Sequence, residues 1–130
     1  MKKLAFDIIL PENPKGTAQM IRHTTHGTYL PKNLQATMRM YQIGLASHGG
    51  VFLDGPLSLS LKFVYAVKDK KKWLQPKTSV PDVDNIAKPF IDCMTKTGFW
   101  NDDSQIVRLK VEKWYGPVPM VGVELAQVAD

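Results

Sequence analysis

Asp82, Asp84, Asn85 and Lys88 stand in the run Pro81-Asp82-Val83-Asp84-Asn85-Ile86-Ala87-Lys88, and Asp102 and Asp103 follow in Gly98-Phe99-Trp100-Asn101-Asp102-Asp103-Ser104-Gln105. Carboxylates massed in one region of a basic chain repel one another unless a cation neutralises them. Mg²⁺ suits such a set: it takes one or two carboxylates and fills its octahedron with water and substrate phosphate. Two ions about 3.5–4 Å apart could activate the attacking water and stabilise the leaving oxygen. The chemistry to which these residues point is metal-assisted hydrolysis of a phosphodiester, with Mn²⁺ as a substitute ion.

Spacing assigns provisional roles. Asp82 and Asp84 are two apart, so on an extended segment both carboxylates leave the same face. Asp102 and Asp103 are adjacent, so on an extended segment only one of them faces the same ion. Lys88 comes one helical turn after Asp84, within reach of charge developing on phosphorus. Asn85 could orient a ligand, bind a water or cap a helix. Asp92 lies one turn beyond Lys88, where a plain i, i+4 ion pair is the simplest reading. An Asp-x-Asp or an Asp-Asp alone is ordinary surface charge; both, at the two ends of one short helix with Asn and Lys beside the first, form a constellation.

The elements that must carry these residues are legible in the hydrophobic pattern. Leu4, Phe6, Ile8 and Leu10 alternate as a strand that ends at Pro11. Glu12 to Thr28 shows no clear period and reads as a long loop, which in a small domain is usually functional or disordered. Pro31 to Ser47 reads as a helix, with Leu34, Met38, Tyr41 and Leu45 on one stripe and His48-Gly49-Gly50 as its end. Leu57 to Val67 alternates most cleanly, with Leu57, Leu59, Leu61, Phe63, Tyr65 and Val67 set against Ser58, Ser60 and Lys62. Asp84 to Lys96 reads as a second helix, capped by Asp84 or Asn85, with Ile86, Phe90 and Met94 spaced by four. Pro89 within it predicts a kink or a late start. Ile106 to Trp114 and Val121 to Leu125 alternate again, and the short Tyr115-Gly116-Pro117-Val118-Pro119 link predicts an antiparallel hairpin. The order β-α-β-α-β-β is that of an α+β fold, a mixed four-stranded sheet with both helices on one face.

The 130 residues make a single domain, spanning 1–130, with a sizeable core. A net charge of +5 favours a polyanionic partner, nucleic acid first. Lys70, Lys71, Lys72, Trp73 and Lys77 directly precede the acidic run and offer phosphate contacts with a stacking face among them. Lys15 and Arg22 in the long loop could touch the same backbone. His23 and His26 are loop histidines, since no further ligands support a closed site. Cys93, the only cysteine, excludes an intrachain disulfide and reads as a buried core thiol. No apolar run approaches the ~20 residues of a membrane span, and Asp7 breaks the first apolar stretch, so a cytoplasmic protein is expected.

Asp82-x-Asp84-Asn85-x-x-Lys88, then Asp92 and Gly98-Phe99-Trp100-x-Asp102-Asp103-x-Gln105, resembles the RusA-type Holliday junction resolvases of bacteria and their phages. The likeness is dense across positions 81–113. It implies a small homodimeric, Mg²⁺-dependent endonuclease that nicks four-way DNA junctions symmetrically on two strands. It also implies catalytic aspartates at Asp82, Asp84 and Asp103 and a catalytic-site lysine at Lys88. The chain departs from the family at Pro81, where a basic residue is common, at Pro89, and in a first loop that places Pro11 and Asn13 closer together. The rival expectation is a branched-DNA-binding module without catalysis, which explains the basic charge and leaves the clustered carboxylates without a purpose.

Overall fold

The computed structural model describes residues 1–15, 22–24, 27–29 and 32–129. Its main sheet has four strands, β1 (Lys3–Ile9), β4 (Leu57–Ala66), β5 (Ile106–Gly116) and β6 (Met120–Gln127), in the order β1-β6-β4-β5. β6 runs antiparallel to β1 and β4, whereas β5 lies parallel to β4 at the edge. Helices α1 (Lys32–Leu45) and α2 (Val83–Lys96) pack on one face, as the hydrophobic pattern predicts.

The core lies between that face and the helices. Leu57, Leu59, Leu61 and Phe63 of β4 meet Val121, Val123 and Leu125 of β6, with Tyr41 and Leu45 of α1 and Ile86, Phe90, Cys93 and Met94 of α2 above them. Phe90 joins α2 to both α1 and β4. Its ring stands edge-on to Tyr41 at 4.9 Å and to Phe63 at 5.6 Å, geometries that exploit the ring quadrupole. Cys93 is buried, and burial pushes its thiol up to about 11, as expected of a core residue.

Three expectations need correction. Residues 106–125 form no hairpin, because β4 separates β5 from β6. The two strands are antiparallel but not adjacent. Four residue steps, from Gly116 to Met120, reach about 13–14 Å, enough to cross the end of β4, since next-nearest strands are only about 10 Å apart. The expected apolar face of β5 is also largely uncovered: Val107 is 60% and Leu109 50% exposed. β5 is an edge strand, and a register shift between Leu57 and Ser58 leaves Val107 as the extra residue. Finally, a short antiparallel ladder, β2 (Arg22–Thr24) with β3 (Gly27–Tyr29), stands where the pattern predicts a loop over Glu12–Thr28, because three-residue strands are too short to show a period.

The chain before that ladder docks on the end of β4. The Asn13 amide donates to the Ala66 carbonyl at 3.1 Å and its oxygen accepts the Ala66 N–H at 2.8 Å. The Tyr65 hydroxyl donates to the Pro14 carbonyl at 3.0 Å. Asn13 thus pairs with β4 as a strand backbone would.

Candidate active site

Asp82 occupies the N-cap of α2, and neither Asp84 nor Asn85 does. The helix begins at Val83 and runs through the buried Pro89, earlier than the proline predicts and without a late start. Ile86, Phe90 and Met94, all fully buried, anchor it and offset the backbone donor that Pro89 lacks. Asp82 is extended, with φ −71° and ψ 153°, while Asp84 already lies in the first helical turn. The two carboxylates are therefore related by a helix start rather than by strand alternation.

An N-cap aspartate ordinarily accepts hydrogen bonds from the first-turn N–H groups. Asp82 does not: its backbone carbonyl takes the N–H groups of Asn85 and Ile86, and its side chain caps nothing. Among the described residues, the exposed carboxylates of Asp82 and Asp84 make no hydrogen bond or ion pair. The positive end of the α2 dipole favours negative charge at this position. Two free carboxylates in one turn suit a hard cation that binds through one or two of them.

Asp102 and Asp103 diverge in role. The Asp102 carboxylate accepts from the Ser104 N–H at 2.9 Å and caps the 3-10 turn Asp103–Gln105. That bond, with the Ser104 hydroxyl, holds Asp102 below the usual carboxylate range. Gln105 completes the box: its carbonyl oxygen accepts from Asn101 and Asp102, and its amide donates to the carbonyls of Leu53 and Gly55. This stitched turn presents the exposed Asp103. The D-x-x-Q spacing that builds it is visible in the sequence as a capping box.

Within one chain the two acidic groups stand apart. Asp82 and Asp84 open α2, a helix of 14 residues and therefore about 20 Å long. Asp103 lies beyond its other end. On the neighbouring strand, Ile106 follows the Asp103 turn and Lys113 reaches Pro81, and these positions are about 23 Å apart at the usual strand rise. Among the described residues, no three His, Cys, Asp or Glu side chains gather closely enough to hold an ion. Lys88 pairs with Asp92, 3.8 Å distant, with the two side chains 73% and 38% exposed. An ion pair so exposed holds weakly and leaves Lys88 free to turn to an anion. Asn85 sits half-buried between these residues in the first turn.

The basic residues gather around Tyr65 and Tyr115, on the segment that precedes Asp82. Lys77 lies over the rings of Tyr65 and Tyr115, at 5.1 and 5.3 Å, and Lys72 over Tyr115 at 5.9 Å. The Lys77 ammonium donates to the Ser79 hydroxyl at 2.6 Å, which in turn meets the Tyr115 hydroxyl at 3.2 Å. The Ser79 bond, helped by the two lysine charges, lowers the Tyr115 phenol from its ordinary range. Lys70 covers Trp73 at 6.0 Å, and the Trp73 indole N–H donates to Val67, which fixes the ring at the surface. Lys71 is exposed in the 3-10 turn Lys70–Lys72. Exposed Lys15 follows Pro14, which Tyr65 holds, so it borders the same cluster. The Arg22 side chain, with those of His23 and His26, lies outside the described residues.

Lys113, on the edge strand, is a residue that the sequence does not single out. Its ammonium donates to the carbonyls of Ser79 at 2.7 Å and Pro81 at 2.8 Å, the residues that lead into Asp82. A hollow of about 350 Å³ on the open face of the sheet, lined by Lys62, Val64, Trp114 and Met120 among others, includes none of the candidate residues. The candidate chemistry lies on the exposed surface, where a long polymer can reach it.

A family model described as endodeoxyribonuclease RusA matches residues 11–126. A protein of Lactococcus phage r1t named crossover junction endodeoxyribonuclease rusA is 47% identical over 73 residues, covering 56% of this chain and 56% of its own. The protein of the same name from Enterobacteria phage 82 is 36% identical over 108 residues, covering 83% of this chain and 82% of its own. YqaN of Bacillus subtilis strain 168 is 38% identical over 79 residues, covering 61% of this chain and 54% of its own. The chain thus spans about half the length of the r1t and Bacillus relatives. No helix among the described residues is long and apolar enough to cross a membrane.

Proposed function

The chain belongs to the RusA endodeoxyribonuclease family, and from that premise we propose that it is a Mg²⁺-dependent endonuclease that resolves four-way DNA junctions by paired nicks in the cytoplasm. The observation that carries this reading is the pair of exposed, partnerless carboxylates, Asp82 and Asp84, beside a lysine cluster. A noncatalytic DNA-binding module has no use for two negative charges beside its phosphate contacts. When bound, a divalent ion supplies Lewis acidity toward the phosphate and a nucleophile at neutral pH.

The chain's own residues supply position and charge. Asp82 and Asp84 would hold the ion, and Lys88 would swing from Asp92 to offset charge gathering on the phosphoryl oxygens. Lys72, Lys77 and Lys15 would grip the phosphates that flank the cut, with Lys70, Lys71 and the face of Trp73 as outer contacts. Asp102 would stay with its cap, and Asp103 would be the acid turned outward.

Because Asp103 lies past the far end of α2, it can reach the ion of Asp82 and Asp84 only from a second copy. An isologous dimer whose twofold axis crosses α2 sets the start of one helix beside the end of its mate and creates two equivalent sites. Two sites related by a twofold match two strands to be cut in a four-way junction.

The test is cleavage of a synthetic four-way junction in Mg²⁺ by the native protein and by Asp82→Asn. The native protein is expected to nick the junction and spare linear duplex. The variant is expected to lose cutting while retaining or tightening junction binding, because a charge that repels phosphate has been removed. If no branched DNA is cut in Mg²⁺ or Mn²⁺, the enzymatic reading fails and the binding module stands. If Asp82→Asn cuts normally, the ion lies elsewhere.

A further inference from the structure

We infer that Lys113 is the positioning residue of the carboxylate pair: its ammonium fixes the backbone arc that delivers Asp82. This inference rests on the metal-site reading above. The arc wraps around one side chain. The Lys113 carbonyl accepts the Lys77 N–H at 3.1 Å, and its ammonium donates to Ser79 at 2.7 Å and Pro81 at 2.8 Å. Residues 77 to 81 are thus held at their beginning, middle and end by Lys113.

The last of these bonds matters most. The Pro81 carbonyl and the Asp82 N–H belong to the same rigid peptide plane, so a donor fixed on that carbonyl sets the orientation in which Asp82 leaves it. Among the described residues Asp82 has no other anchor on this side: its carboxylate caps nothing, and only its carbonyl is committed to the helix. Charge-assisted bonds at these lengths are about twice as strong as neutral ones.

Lys113 itself stands on a braced platform. The outer edge of β5 is closed beside it by the pairing of Leu74 and Gln75 with Tyr115 and of Pro76 with Trp114. The lysine therefore ties Asp82 to the sheet. Residues that orient ion ligands in this way typically change ion affinity or activity by about 10–100-fold when removed. Because neither bond is to DNA, junction affinity without the ion should depend on Lys113 only through its charge.

The test compares the full-length protein with Lys113→Met, which keeps the length of the side chain and removes its donors, and with Lys113→Arg, which keeps them. Mn²⁺ binding is followed by calorimetry, amide exchange across residues 79–85 by mass spectrometry, and junction affinity in EDTA by gel shift. Lys113→Met is expected to weaken Mn²⁺ binding about 10–100-fold, to accelerate exchange in that segment and to leave junction affinity within about threefold, as befits the loss of one charge. Lys113→Arg is expected to restore both ion affinity and slow exchange.

Unchanged ion affinity and exchange in Lys113→Met would overturn the inference. So would loss of junction affinity with ion binding intact, which would make Lys113 a DNA contact. If Lys113→Met does not fold, Lys113→Gln, which keeps an amide donor, must fall between the native protein and an Asp82→Asn control in ion affinity; a native value overturns the inference. If the native protein binds no Mn²⁺, the metal-site reading fails, while the exchange rates still decide whether Lys113 holds the arc.

Discussion

A mixture of two inactive variants should regain activity. Asp82 and Asp84 stand at the start of α2 and Asp103 beyond its end, with about 20 Å of helix between. If each ion is shared by two copies, a dimer of Asp82→Asn with Asp103→Asn collects both defects in one site. The other site keeps native Asp82 and Asp84 from one copy and native Asp103 from its mate. Free exchange of equal amounts makes half the dimers mixed, each with one working site of two, so nicking should return to about a quarter of the native rate. The products should be nicked junctions and not resolved duplexes, since one site cuts one strand. The assay is a denaturing gel of end-labelled junction strands, with native mass spectrometry to verify the mixed dimers. A mixture of Asp82→Asn with Asp84→Asn should stay inactive, because each site then carries one defect. Mixed Asp82→Asn and Asp103→Asn dimers that remain inactive would refute the shared site, and activity in the Asp82→Asn and Asp84→Asn mixture would refute the pairing of those two aspartates on one ion.

Other outcomes follow from the same geometry. Replacing Lys72 or Lys77 with Ala should weaken junction binding at all sequences and reduce the slope of log affinity against log salt by about 1 each, measured by fluorescence anisotropy. Asp102→Asn should lower the melting temperature most near neutral pH. The native Asp102 is depressed by its Ser104 bonds, so its stabilisation exists above the ordinary carboxylate range and fades as pH falls through the lowered value; the gap between the two proteins should close on acidification. Phe90→Ala, which empties the joint between Tyr41 and Phe63, should cost about 3–5 kcal/mol in urea unfolding. The Cys93 thiol, pushed up to about 11 by burial, should resist alkylation at pH 8 until the protein unfolds.

Local pattern in the sequence marks both helices, the strands β1, β4, β5 and β6, and the buried faces of β4 and α2, but neither the three-residue strands β2 and β3 nor the exposure of β5. The alternation of Leu57, Leu59, Leu61, Phe63 and Tyr65 and the spacing of Ile86, Phe90 and Met94 depend on local periods of two and of about four, and every one of these residues is buried. Asp82, Asp84, Asp102 and Asp103 were likewise legible, because residue types and spacings are local properties. The capping box of Asp102 and Gln105 was available by the same means.

Whatever depends on neighbours distant in the chain comes from tertiary packing. A three-residue link specifies antiparallel direction, yet it is long enough to step over β4, so adjacency was settled by which strand the inserted β4 could pair with. That insertion put β5 at the edge, exposed Val107 and Leu109, and turned Lys113 toward the arc before Asp82. The placing of Asp82 and Asp103 at the two ends of one helix, by contrast, was legible in the sequence. Sequence separation counts residues, whereas a helix converts them into length, and two acids that look like neighbours in the chain are held apart by the rigid rod between them.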